Sequence, residues 1–227
     1  MNYRQDNRIG LFTYCFGTIA VLISSCFIFM TIVRILSYYC HPLENAICRG
    51  DIVAINQAIA DGHDVNAKDK YGHTMLICAI QYGISNRRPM KHPTSKVTII
   101  CQMVEILVAA GADINALDDY EDTALCSAIN WSDPNVVKLL IRKDADVNLK
   151  GRFGETPLHF AVRSGRQEVV QMLLDTGADP NIKNKDGVTP LELAMEIQST
   201  EIAKLLREHE TRKVTPNNDN SNANPEE

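Results

Sequence analysis

The sequence predicts an all-α solenoid of stacked helix pairs, preceded by one apolar helix and followed by a polar tail. Two observations carry this reading. From residue 41 onward two short signatures recur in matching register, and before it lies an uncharged stretch of 25 residues. Composition sets the outer bounds. At 227 residues, 45% hydrophobic and 22% charged, the chain is neither wholly disordered nor collagen-like nor of low complexity. Seven cysteines are too sparse for a disulfide scaffold. A formal net charge of −5 argues against a general nucleic-acid binder, which needs a basic face.

The N-terminal element comes first. Ile9 to Val33 carries no Asp, Glu, Lys, Arg or His. As a helix it would measure roughly 37 Å, enough to cross a hydrocarbon core of about 30 Å with some tilt. A cleavable signal has an apolar region of about 7–15 residues, so this span is too long for that simple reading. The expectation is a single-pass anchor over residues 9–33, within an N-terminal segment 1–40. The alternative is a lipoprotein: Ile23-Ser24-Ser25-Cys26 resembles a bacterial lipobox, with Cys26 the lipidated residue. Against it, Phe27 to Val33 stays apolar where such a chain turns polar. Arg4, Arg8 and the terminal amine precede the span and Arg34 follows it. That bias places the N-terminus inside and the remainder in the periplasm or lumen.

The repeats occupy about residues 41–210. Gly72-His73-Thr74-Met75-Leu76, Glu121-Asp122-Thr123-Ala124-Leu125, Gly154-Glu155-Thr156-Pro157-Leu158-His159 and Gly187-Val188-Thr189-Pro190-Leu191 align, with threonine intervals of 49, 33 and 33. The segments beginning at Gly62, Gly111, Asp144 and Gly177, each running on through Asp-x-Asn, show the same three intervals. Such a period marks a repeat architecture. The long interval is one unit plus an insertion. Thr156 and Thr189 are placed to cap a helix N-terminus, and Pro157 and Pro190 follow at the first helical position, where a missing N–H costs nothing. A first helix runs through Leu158, Ala161 and Val162 to Gly165. The second presents Val169, Val170, Leu173 and Leu174 on one face. Gly177 supplies the left-handed residue that ends it, and Asp144 tolerates that conformation at the same register. Neither helix pair can bury its apolar face alone, so neighbours must stack.

These signatures resemble ankyrin repeats; Thr156-Pro157-Leu158-His159-Phe160-Ala161 with Gly177-Ala178-Asp179 lies close to that family's consensus. Glu121 and Asp144 depart from it, standing where glycine is preferred. The resemblance implies helix-turn-helix units joined by short β-turn fingers, in five repeats: about 41–68, 69–117, 118–149, 150–182 and 183–210. It also implies a structural hydrogen bond from His159 to the adjoining unit. The insertion, residues 84–101, holds Arg87, Arg88, Lys91 and Lys96, with Pro89 and Pro93 expected to prevent helix continuation. It reads as a basic loop, either solvated or touching an acidic partner or anionic headgroups. Residues 211–227, Asn-rich with Val214 and Ala223 their only apolar members, read as a disordered tail.

Chemistry is sparse. The six histidines form no metal-ligand spacing with Cys, Glu or one another. There is no CxxC pair, nucleophile elbow or phosphate-cradling glycine loop, so no catalytic, cofactor or metal site is predicted. Cys48, Cys78 and Cys126 read as small apolar residues, with a bridge among them and Cys101 left open.

What remains is recognition. The resemblance implies a protein-binding surface built from finger tips and first helices. Trp131 and Tyr82 end the first helices of repeats three and two; Tyr71, Tyr120 and Phe153 stand one per finger. Exposed aromatics anchor interfaces, although the finger aromatics can also simply stack on neighbouring fingers. Asp118, Asp119, Glu121, Asp122 and Asp133 surround them, and Arg87 and Arg88 add a basic edge. Beyond residue 40 the chain holds 20 basic and 27 acidic residues, so the expected partner is a protein with a basic or mixed-charge face, steered by charge and weakened by salt. Small bacterial proteins of this build look like immunity proteins that neutralise a secreted toxin enzyme such as a phospholipase. The alternative is a scaffold organising a membrane or periplasmic complex or stress-response system.

Overall fold

The computed structural model describes residues 42–81, 93–131 and 133–214, and the chain divides into a unit Met1–Pro42 and a unit Leu43–Glu227. The apolar segment 9–33 and Cys26 lie outside the described residues, as do Tyr82, Arg87 and Arg88. Among the described residues no helix is long and apolar enough to cross a membrane.

Among the described residues five consecutive helix pairs follow one another: α1 (Pro42–Arg49) with α2 (Ile52–Ala60), α3 (Met75–Ile80) with α4 (Pro93–Ala109), α5 (Ala124–Trp131) with α6 (Pro134–Arg142), α7 (Pro157–Arg163) with α8 (Gln167–Asp175), and α9 (Pro190–Glu196) with α10 (Thr200–Val214). No β-strand forms among the described residues; an isolated antiparallel bridge joins Lys68 and Thr74.

The caps explain where the first helices begin. Thr74 Oγ1 accepts from the Ile77 N–H at 3.3 Å, and Thr123 Oγ1 from the Cys126 N–H at 3.1 Å. Thr189 accepts from the Glu192 N–H while the Glu192 carboxylate returns to the Thr189 N–H, a closed capping box. Asp51 and Asp133 cap the second helices α2 and α6 in the same way. Asp144 ends α6 at φ 65°, the left-handed role its register predicts.

Stacking follows the period. α3 packs on α4 and α5, α5 on α6 and α7, and α7 on α8 and α9. Leu107, Leu140, Leu173 and Leu206 stand at intervals of 33 and are fully buried, one from each of the second helices α4, α6, α8 and α10. Full burial of each is worth about 1.5–3 kcal/mol, so the ladder holds each repeat to its neighbour.

Two boundaries differ from the sequence reading. Pro93, expected to stop a helix within the insertion 84–101, instead begins α4, which runs 17 residues. Proline lacks only a donor that the first turn leaves unpaired anyway, so it starts a helix as readily as it ends one. Part of the insertion therefore lengthens the second helix of its repeat. At the other end α10 continues to Val214, past the boundary placed at residue 210.

Candidate protein-binding face

The fingers are held by side chains that replace strand pairing. In the second finger Asp69 Oδ1 accepts from the N–H groups of Tyr71 and His73, both at 2.8 Å. In the third, Asp118 Oδ1 accepts from Tyr120 at 2.9 Å and Asp122 at 2.8 Å. Asn184 does the same in the fifth for Asp186 and Val188. Each is a short polar side chain closing its own turn. A second set ties one unit to the next. Asn66 accepts from the Asp113 N–H at 2.7 Å, Asn115 from Asp146 at 2.8 Å and Asn148 from Asp179 at 2.8 Å. The recurring Asp-x-Asn thus serves as a lateral stitch.

His159 is a third kind of stitch. It is fully buried, its Nε2 lies 3.0 Å from the Val188 carbonyl of the next unit, and its Nδ1 accepts from the Thr156 N–H at 3.2 Å. Nε2 therefore carries the proton. Burial pushes its pKa below the ordinary histidine value, helped by nearby Lys150, while the Val188 bond works the other way.

On this frame stand the aromatics. Tyr71 is 60% exposed, Tyr120 46%, Phe153 55% and Trp131 60%. Tyr120 does lean on the preceding finger, its ring 5.2 Å from that of His73, yet nearly half of it faces solvent. Lys70 lies over the Tyr71 ring and Arg152 over Phe153, each at 4.8 Å. These are cation–π contacts within a finger rather than between fingers.

The acids are not a uniform rim. Asp118, expected on the surface, is 5% exposed; besides its two backbone donors it faces His73 Nδ1 at 2.9 Å. It is a turn-former and a link between fingers. Asp122 is half-buried, and burial together with Asp118 raises its pKa. Asp133 is spent as the α6 cap. Asp119 and Glu121 are exposed but paired, with Lys68 at 2.7 Å and Lys185 at 3.1 Å. Sequence reasoning also passed over a basic end to the row: Lys150, Arg152, Lys183 and Lys185 are all exposed on fingers four and five. The missed signal was the change in residue type at finger register, Asp69 and Asp118 giving way to Gly151.

Cys78, Cys101 and Cys126 are free thiols. Burial pushes the Cys126 thiol up to about 12, as befits an apolar filler. Among the described residues no group of three or more His, Cys, Asp and Glu side chains is arranged to hold a metal ion.

Comparison with known proteins agrees with this geometry. Residues 98–184 match the family model for ankyrin repeats, in 3 copies. No curated protein matches the chain. Ankyrin repeats are in general non-enzymatic modules that bind other proteins.

Proposed function

We propose that this chain is a membrane-tethered binding protein that grips a single protein partner across its fingers and first helices and catalyses no reaction. The observation that carries the reading is the set of large exposed aromatics, Tyr71, Tyr120, Phe153 and Trp131, displayed on units stitched together by asparagines. Rigid aromatic surface loses little entropy on binding and supplies most of the energy of an interface. The helix pairs flanking residues 98–184 are read as divergent end copies, giving five repeats. The apolar stretch Ile9–Val33 supplies the tether, with the repeats in the periplasm. In its specific form the proposal is an immunity protein that blocks a secreted toxin enzyme, such as a phospholipase, at the membrane where that enzyme acts.

The test uses the full chain in mild detergent as bait, with mass identification of what it retains. One enzyme retained at equimolar ratio, and inactive while bound, supports the inhibitor reading. Trp131→Ala should then weaken retention by about tenfold or more, the loss expected of a central aromatic. Retention of several proteins with activities unchanged replaces inhibitor by scaffold. No protein retained overturns the binding role itself.

A further inference from the structure

The finger row changes sign along its length. Fingers two and three hold five carboxylates, Asp69, Asp118, Asp119, Glu121 and Asp122, against Lys68 and Lys70. Fingers four and five hold Lys150, Arg152, Lys183 and Lys185 against Glu155 and Asp186. Glu155 is itself buried and paired with Arg163, so it contributes little to the outer surface.

Between the third, fourth and fifth fingers lies a pocket of about 370 Å³, lined by Leu117, Glu121, Lys150, Gly151, Gly154 and Lys185 together with Asn184. That is room for one side chain of a visitor, at the lower end of ligand-pocket sizes. The wall is part apolar, from Leu117, and part charged, with the two cations Lys150 and Lys185 outnumbering the one carboxylate of Glu121. Lys150 Nζ rests on a neutral acceptor, the Lys183 carbonyl at 2.9 Å. Lys185 reaches Glu121, but both partners are more than half exposed, and such pairs are held weakly enough to exchange. Gly151 and Gly154 of the fourth finger complete the lining. Where Asp69, Asp118 and Asn184 bring an oxygen to close their turns, the fourth finger has Gly151 and closes on its own backbone, with the Glu121 carbonyl in the space a side chain would take.

From this we infer that the pocket is the subsite for a carboxylate-bearing side chain of the partner, set in an acidic segment that lies along fingers four and five. The inference rests on the binding role proposed above and adds the chemistry of what is bound. An ammonium group gains more from a carboxylate than from a carbonyl, because the acceptor is then charged. The aliphatic stem of a glutamate would lie against Leu117 while its head meets Lys150 and Lys185. Fingers two and three, acidic around Tyr71 and Tyr120, then face the basic part of the same partner. The row thereby fixes the direction in which that partner docks.

The test is amide-resolved NMR of the full chain in detergent micelles, titrated with the probe peptide acetyl-Gly-Glu-Leu-Glu-Gly-amide and with its Gln counterpart. The expected result is saturable movement of the Gly151, Gly154 and Asn184 amide signals, with affinity for the Glu peptide about tenfold above the Gln peptide. Lys150→Gln combined with Lys185→Gln should remove that preference. Both lysines are exposed, so the fold should persist; should the double variant fail to fold, the Glu-against-Gln comparison on the parent chain decides. Equal affinity for the two peptides, or movement that spares these three amides, overturns the pocket. The binding role is read separately, by retention of a protein on the parent chain. A partner retained undiminished by the double variant overturns the pocket and leaves the role standing.

Discussion

The third and fourth fingers stand 33 residues apart at the same register and hold the same bend by different means. The third is built around Asp118, whose buried carboxylate takes two backbone N–H groups and His73 at once. The fourth has no such group. Its turn is a short 3-10 segment, Arg152–Gly154, with Phe153 held at φ 57° and Gly154 at φ 67°. A left-handed backbone costs a residue with a Cβ roughly 1–2 kcal/mol, so the fourth finger keeps its bend against strain. Gly151 is what allows it: a Cβ there would meet the Glu121 carbonyl oxygen at 2.6 Å. The third finger thus uses a side chain to organise backbone, and the fourth uses a neighbour's backbone in the space a side chain would fill. Repetition of sequence therefore constrains the helices more tightly than the tips, which is where a repeat protein varies its recognition.

The sharpest way to break this comparison is to exchange the two solutions. Asp118→Ala leaves two backbone donors without their acceptor at a buried site, and each such loss costs about 1–3 kcal/mol. A total near 2–4 kcal/mol should appear as a lowered urea midpoint of the full chain in detergent. Gly151→Asp, which writes the third finger's residue into the fourth, should also destabilise, by about 1–3 kcal/mol, because the new Cβ overpacks against Glu121. A stabilising Gly151→Asp would show that the fourth finger is only a degraded copy of the third.

A smaller effect sharpens the comparison through pH. His159 joins the fourth unit to the fifth, and its folded pKa lies below the unfolded one because it is buried. The unfolded chain therefore binds the proton more readily, and its stabilising contribution is complete above the ordinary histidine range. It is lost as pH falls through about 6.5. Melting temperature should drop between pH 7.5 and pH 5.5, and drop less in His159→Gln, whose amide can still donate to the Val188 carbonyl. Asp122, with its pKa raised, works in the opposite direction but at lower pH, in the carboxylate range. Equal pH slopes in the parent and His159→Gln would remove His159 from the account.

The helices were legible because their signals are local. Thr189 caps as its context predicts, and Thr74 and Thr123, aligned with it by the period, cap in the same way. Tertiary consequences were not. Leu117-Asp118-Asp119-Tyr120-Glu121-Asp122 reads as one acidic surface run, yet Asp118 is buried and its neighbour Asp119 exposed. Only the fold back of His73 and two N–H groups onto one carboxylate separates them, and no pattern in the run records that. Pro93 misled for a related reason: its effect depends on which side of it a helix forms. Trp131 and the finger aromatics were found as exposed groups, since their place in the register is fixed by the period. The basic end of the row was not, because it appears only when fingers four and five are set side by side.

The gentlest expected effect concerns Glu121, the left-handed residue of the third finger, at φ 62°. It closes the third finger at the position that glycine fills in the second, fourth and fifth, as Gly72, Gly154 and Gly187. Glu121→Gly removes the Cβ strain but gives the unfolded chain more freedom, and it deletes the exposed pair with Lys185. Relief of about 1–2 kcal/mol less an entropy cost of about 0.5–1 kcal/mol and a surface pair worth at most about 1 kcal/mol leaves a change close to zero, on the stabilising side. Glu121→Asn tolerates the conformation at less entropic cost and should be at least as stable as Glu121→Gly, read again from the urea midpoint. A loss above about 1 kcal/mol in both would mean that the Glu121–Lys185 pair holds the third finger to the fifth. The pocket between them would then be closed by that pair rather than open to a visitor, so this small measurement bears directly on how the basic half of the row is used.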